Sequence, residues 1–532
     1  RFNRKSVIMR SDYIRNNLNG AEAKANSYKI DNQFYHIRAV LVNPDGDRID
    51  LTKGALYNIS LTDDLFDPFL KAEITLYNDN HTIERTVPTS VNYQNGYTFR
   101  GDGRDVLFLE IIPLKSTKKD YKLEESAEYN TVFSLRNLFT VIEDTDVNID
   151  GVLYKRLKLY DLDKRKLLEK NVYFNSINTI NFNESNTLSG VPLFNLDNNE
   201  RANNTGIMLR ELLKFTLKQG DDDIFYIDRS SSGTRNINYI DFENGATSVN
   251  YSSNTYKKAI DDFNYLYDLH VSNSDSKDFS ILKKDYFTGK YTLINTKSFF
   301  DRANNGNENG PFTIERINIS GAGNNKVSNQ GGKAVKNTPQ FNEKSQALNV
   351  KFFNTSFDIL NEKVNTKIVH EYNFEDKTFN ILQKDSNINN SKEKFDSYYV
   401  QNMRGEKQPY PSQINTNLKK LNFNYENVYN LYGDNQDIRL SKGLNKLLKN
   451  TIMSNIGVEV TIKGQMQRKA GKFVTIDRSS LDPKNKFDDR FLGTYFIINI
   501  EHTFIRDDLY INKLFAVKTY YFDDLKFNED LD

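Results

Sequence analysis

The stretch Val458-Glu459-Val460-Thr461-Ile462-Lys463-Gly464 alternates apolar and polar side chains with a period of two. Tyr495-Phe496-Ile497-Ile498-Asn499-Ile500 repeats the pattern, with Phe496, Ile498 and Ile500 in the apolar positions. Successive side chains of a strand point to opposite faces, so each stretch reads as a strand with one buried face. Val458, Val460, Ile462, Phe496, Ile498 and Ile500 are expected to share one core. Glu459, Thr461, Lys463, Tyr495 and Asn499 fall on the other face, which suits a subunit interface or a wet lumen. Ile497 is an apolar misfit there and points to contact with a neighbouring chain. Ile511, Phe515 and Val517 extend the strand set toward the C-terminus.

The same period appears far upstream. Leu70, Ala72, Ile74 and Leu76 alternate with Lys71, Glu73, Thr75 and Tyr77, and Ala55, Tyr57, Ile59 and Leu61 do so one strand earlier. Asn43-Pro44-Asp45-Gly46-Asp47 lies between apolar segments and reads as a hairpin turn, with Pro presetting φ and Gly accepting a positive one. Strands are expected at 105–114, 129–144, 153–160 and 171–176. The pattern then changes to helical spacing. Met208 and Leu212 are four apart behind Thr205, a capping residue type, and Ile260, Phe263 and Tyr267 align over 255–270. Two strands at 279–284 and 290–295 follow, joined by Phe287-Thr288-Gly289. Further strands are expected at 347–360 and 366–384, and a helix at 437–453. Two β-rich units therefore flank a helix-containing insert.

Composition sets the outer bounds. The 532 residues hold 72 Lys and Arg against 71 Asp and Glu, a net charge of +1. That balance excludes a strongly basic nucleic-acid coat. The absence of cysteine removes disulfides, thiolate metal sites and Cys nucleophiles. Aromatic residues make up 13%, all Tyr and Phe, which argues against disorder. Asn is about one residue in eight; with Lys, Ile, Tyr and Phe it reflects AT-rich codons. No apolar run approaches the ~18 residues of a membrane span. No signal-peptide pattern opens the chain, which starts at Arg1 and is read as trimmed or processed.

Motif chemistry yields no catalytic, cofactor or metal residue. His370-Glu371-Tyr372-Asn373-Phe374 lacks the second His of a zinc-protease helix and sits in a strand-like segment. Gln330-Gly331-Gly332-Lys333-Ala334 has neither the first Gly of a phosphate loop nor a hydroxyl after the Lys, and Gly321-Ala322-Gly323 lacks the third Gly of a dinucleotide loop. Asp45–Asp50 breaks the calcium-loop spacing. Gly220-Asp221-Asp222-Asp223 reads as a solvated loop, and His502 as a structural residue closing a barrel.

Order and local pattern together carry a resemblance. The C-terminal run from Val458 through Ala470-Gly471-Lys472-Phe473-Val474 to Leu492-Gly493-Thr494-Tyr495, His502 and Tyr510 resembles the last barrel of baseplate hub proteins of tailed phages. The late-control proteins and type VI secretion spikes share this layout. Lys469-Ala470-Gly471 stands where those proteins usually carry Pro-Gly. Tyr97–Ile111, the strands to Ser176, the helix over 206–217 and the Asp285–Leu293 hairpin follow the hub order. Gly464, Gly471, Gly493, Tyr495, His502 and Tyr510 are the positions that match the family pattern.

The resemblance implies a mainly β chain with an α+β insert, built as two tube-protein-like antiparallel β-barrels plus a small helix-containing domain. The expected division is an N-terminal arm at 1–30, with a net charge of +5, and a first barrel domain at 31–195. The α/β insert follows at 196–318 and a linker at 319–346. The second barrel takes 347–384 and 455–522, around an irregular insertion and helix at 385–454. An acidic tail closes the chain at 523–532. The implied function is a non-enzymatic trimeric ring, without cofactors, joining a tail tube to a central spike and forming the channel for DNA ejection. Its implied partners are a second and third copy, the tail tube or tube initiator, the spike or tail lysozyme, the tape-measure protein, baseplate wedge proteins and DNA in transit. The implied location is the tail baseplate of a virion assembled in the host cytoplasm. The competing class is a β-rich secreted or virion-associated polysaccharide depolymerase, for which sequence repeats would be expected.

Overall fold

A computed structural model describes, with short interruptions, residues 27–113, 135–174, 187–194, 205–218, 240–242, 258–295, 315–319, 346–353, 368–383, 456–477, 491–505 and 509–517. The arm up to residue 26, the expected linker core, the 385–436 insertion, the 437–453 helix and the acidic tail lie outside the described residues.

The N-terminal β half contains β1 (Ser27–Ile30), β2 (Gln33–Val42), β3 (Arg48–Asp50), β4 (Leu56–Asp64), β5 (Lys71–Tyr77), β6 (Val106–Pro113), β7 (Leu135–Ile149) and β8 (Val152–Asp161). A short helix, α1 (Leu162–Glu169), follows at once. The insert holds α2 (Thr205–Lys218), β9 (Ile240–Phe242), α3 (Ala259–Leu269), β10 (Ser280–Lys284) and β11 (Tyr291–Asn295). The C-terminal half holds β12 (Glu315–Asn318), β13 (Ala347–Phe353), β14 (Gly457–Lys463), β15 (Phe473–Asp477), β16 (Gly493–Ile505) and β17 (Tyr510–Val517).

The two halves are one sheet. Its 14 strands run in the order β1-β2-β6-β7-β8-β5-β4-β16-β17-β14-β13, with β3 on β2, β15 on β16 and β12 on β15. The chain is mainly β with a small helical part, as the sequence indicates, and among the described residues the strands of both halves are joined by the antiparallel pairing of β4 with β16 from Asn499↔Asp64 to Ile505↔Asn58. Each half thereby covers an edge of the other, where unpaired N–H and C=O groups would otherwise be exposed. Ile368–Asn373 and Thr378–Gln383 pair with each other in a separate two-stranded sheet.

The turn at Asn43–Asp47 forms as the sequence indicates. Asn43 N–H donates to Asp47 O at 3.0 Å, and Gly46 takes φ +96°. Helix α1 has no counterpart in the sequence reading, because its few residues follow a strand without a break. Asp161 starts it by accepting the Asp163 backbone N–H at 2.9 Å. Thr205, expected as a cap, lies inside α2, and its hydroxyl sits 2.9 Å from His270 Nδ1 at the end of α3.

Three apolar cores result. One is built from β1 to β8 together with Met466, Phe504 and Tyr510, one from β10, β12 and β14 to β17, and one from α1, α2, α3, β10 and β11. Strand β10 and the turn after it enter all three. Ile281 packs in the C-terminal core, Leu282 in the insert core, and Tyr286 and Phe287 in the N-terminal core.

Val458, Val460, Ile462, Phe496, Ile498 and Ile500 are all buried together. Tyr495 and Ile497 correct the sequence reading, because both are buried in the same core. Tyr495 lies opposite Val474 of β15, and a register shift between Ile497 and Asn499 changes which face the strand turns inward. Ile497 therefore packs within its own chain. Ile498→Ala is expected to cost ~2–5 kcal/mol, because a cavity is left where a branched side chain was fully enclosed. Asn499→Ala, on the half-buried face, should stay within ~0.5 kcal/mol. Urea midpoints of the two variants check the assignment, and the reverse order would turn the half-sheet inside out.

Candidate functional surface

The non-core face of the joined sheet carries rows of side chains, polar except for Ile511, that cross the join. One row runs Glu143–Lys158–Glu73–Ser60–Thr503–Ile511–Lys463, from β7 through β8, β5, β4, β16 and β17 to β14. The next runs Lys71–Thr62–Glu501–Lys513–Thr461–Asn349 and ends on β13. Every residue in these rows is exposed or half-buried. An antiparallel sheet tolerates one solvated face, and here both halves turn that face the same way.

Charges on this face are paired in place. Lys158 Nζ is 2.7 Å from Glu143, Arg156 is 2.6 Å from Glu73, and Lys513 is 3.1 Å from Glu459. Ser60 Oγ donates to Glu501 across the join. Solvated pairs of this kind add little stability, about 0–1 kcal/mol each. Their effect is electrostatic: acids and bases interleave, so among the described residues of these rows no run of cations faces outward.

The positions matching the hub pattern sit behind this face and hold its C-terminal half. Gly464 donates its N–H to Tyr510 O at 2.6 Å, and a Cβ there would lie 2.2 Å from Tyr510 Cγ, so the ring requires glycine. Gly471 takes φ +86° and bonds Ile497 O at 2.8 Å, and Gly493 takes φ +111°. The Tyr495 hydroxyl donates to Phe491 O at 2.6 Å. Tyr510 stacks on Phe504 with ring centroids 3.9 Å apart.

His502 centres a buried polar network. Its Nδ1 lies 2.7 Å from Tyr510 Oη and 2.8 Å from Asn512 Nδ2, and its Nε2 lies 3.3 Å from Tyr286 Oη. Both groups facing Nδ1 are donors, which assigns the ring hydrogen to Nε2 and leaves the imidazole neutral. Burial, with the nearby Arg468 charge second, pushes His502 down to about 3. Arg468 donates to Asn512 Oδ1 at 2.9 Å and pairs with Glu315. The Tyr286 hydroxyl donates to Arg468 O at 3.2 Å, tying the insert to this network.

Beside it, Lys283 pairs with buried Asp63, which also accepts the Ala470 N–H at 3.0 Å. Sequence reading found Gly464, His502 and Tyr510 but missed Asp63, Lys283, Tyr286, Glu315, Arg468 and Asn512. Asp63 is 407 residues from Ala470, and no local spacing signals such a contact. Among the described residues no group of His, Asp and Glu is placed to hold a metal ion.

His502 gives a pH test. A histidine held neutral contributes stability that is whole above its ordinary value near 6.5 and is lost as pH falls below it. Melting should therefore weaken below pH 6.5, by up to ~1.4 kcal/mol per pH unit from this residue. His502→Gln should flatten that slope; an unchanged slope would mean that the ring already takes up a proton in the fold.

No family model matches the sequence, and no curated protein does. Solved structures similar to this chain are phage tail and type VI secretion proteins. The tail protein from Neisseria meningitidis MC58 aligns at 7% identity and a TM-score of 0.41, covering 91% of this chain and 96% of that one. The 43 kDa tail protein of prophage MuSo2 from Shewanella oneidensis aligns at 8% identity and a TM-score of 0.38, covering 91% and 99%. The E. coli c3393 protein, a type VI secretion component with structural similarity to T4 bacteriophage tail proteins gp27 and gp5, aligns at 6% identity and a TM-score of 0.30, covering 88% and 75%.

Proposed function

We propose that this chain is a structural, non-enzymatic hub of a phage-type tail. Three copies form a ring between the tail tube and the central spike, and the polar face of the joined sheet lines its channel. The observation that carries this reading is the β4–β16 pairing, which sets two β halves side by side with a common solvated face. Two like units per chain let a trimer present six positions to a six-fold tube. The interleaved charges fit passage of a tape-measure protein and then DNA. Each phosphate neutralised by a protein cation releases counterions and adds affinity, so a face without unpaired cation runs does not retain a polyanion. The tube or its initiator contacts one rim, the spike or tail lysozyme the other, and wedge proteins the outside.

The mass of the assembled species in solution, or inside particles, should be three times 61.8 kDa. Negative-stain images should show a ring with a hole. A monomer inside assembled particles overturns the reading, and hydrolysis of a capsular polysaccharide by the purified chain would favour the depolymerase class instead. The triple variant Glu73→Lys, Glu143→Lys and Glu501→Lys should make the ring bind DNA in a salt-dependent way, while an equal number of Glu→Lys changes off this face should not.

A further inference from the structure

Lys284, on β10, reaches two carboxylates that belong to the N-terminal half. Its Nζ is 2.6 Å from Asp161 Oδ2 and 2.7 Å from Asp163 Oδ2, with side-chain exposures of 4%, 1% and 5%. Both oxygens of Asp161 have further donors: the Asp163 backbone N–H on Oδ1 at 2.9 Å and Asn137 Nδ2 on Oδ2 at 3.1 Å. The Tyr291 hydroxyl donates to Asp163 Oδ2 at 2.8 Å, and the Tyr291 ring lies beside the ammonium, its centroid 5.4 Å away. Leu167, Leu282 and Phe69 belong to the same enclosing core.

Two carboxylates and one lysine this deeply buried disfavour full ionisation. Burial raises Asp161, the neighbouring Asp163 charge adds to that, and Lys284 opposes it without cancelling it. Proton transfer inside the pair would leave a neutral amine facing a neutral carboxyl group, with a second carboxylate in reach of the amine.

We propose that Lys284 and Asp161 condense into an intramolecular isopeptide bond, with Asp163 relaying the proton. Nζ attacks Cγ of Asp161. Asp163 takes the proton released from Nζ and returns it to the departing hydroxyl. The Nζ–Cγ bond forms, one Cγ–O bond breaks and one water leaves, so the two side chains and the relay balance the step. The Asp163 N–H holds the charge that develops on Oδ1, as a fixed donor does at an acyl centre, while Oδ2, which faces the Asn137 amide and Lys284, is the oxygen that leaves. The neighbouring Lys283 meets a different arrangement, the single carboxylate of Asp63 and the carbonyl of Asp64. The bond would join the insert covalently to the end of β8, and it is independent of the hub reading.

Intact mass of the denatured full-length chain tests this directly. The expected mass is lower than the sequence mass by one water, with a branched tryptic peptide joining the Lys284 and Asp161 segments and no cleavage after Lys284. Lys284→Arg should restore the full sequence mass. Asp163→Asn, checked for folding by circular dichroism, should restore it too while keeping both reacting residues. A folded wild-type chain at full sequence mass overturns the proposal, as does a water loss mapped to another pair of residues. Cross-linking that persists in folded Asp163→Asn removes Asp163 from the step.

Discussion

A buried lysine must find a carboxylate or give up its charge, and β10 buries two in succession. All five residues from Ser280 to Lys284 are enclosed. Adjacent strand residues point to opposite faces, so Lys283 and Lys284 cannot share a partner. Lys283 takes Asp63 at the end of β4, and Lys284 takes Asp161 and Asp163 where β8 passes into α1. Between them, Ile281 and Leu282 plug the cores on either side. The insert is thus fixed at two points of the N-terminal half. The cost of desolvating ions is met only if both contacts form at once, so the pairs define one seating of the insert rather than adding much net stability.

That seating bears on the join. Asp63 is on β4, the strand that pairs with β16, and its second contact is the Ala470 N–H of the C-terminal half. Tyr286, two residues past the lysines, reaches Arg468 and His502. The insert therefore braces the β4–β16 seam from behind while the seam's front stays polar and solvated. The apolar side of the sheet is consumed by cores, and the uncovered side is the one built from cross-strand pairs.

The period-two strands were legible because each writes its own face: Val458 to Ile462 and Leu70 to Leu76 read correctly without any partner. The helices α2 and α3 were legible for the same reason at a different period. Tyr495 and Ile497 were misread because alternation assumes one solvated face, and here Tyr495, Phe496, Ile497 and Ile498 are all buried in succession. The shift between Ile497 and Asn499 then breaks the alternation within one strand. Helix α1 was missed because it occupies only Leu162–Glu169 and begins on the last residue of a strand. The polar network was legible only at Gly464, His502 and Tyr510, which lie within the recognisable C-terminal pattern. Arg468 and Asn512 lie in the same run without a spacing that marks them, and Asp63, Tyr286 and Glu315 come from segments more than a hundred residues away, a pairing written in the fold and in no local spacing.

The arrangement of weak and strong contacts bears on how the joined sheet resists separation. Hydrogen-bonded strands loaded along a seam can separate bond by bond. The β4–β16 seam is backed by a second load path, because separating the halves also requires Asp63 to leave either Lys283 or Ala470. Leaving Ala470 strands a buried N–H, and leaving Lys283 strands a buried charge, whose cost is several times that of a single backbone hydrogen bond. That second path places the insert, remote from the polar face, in the service of keeping that face continuous.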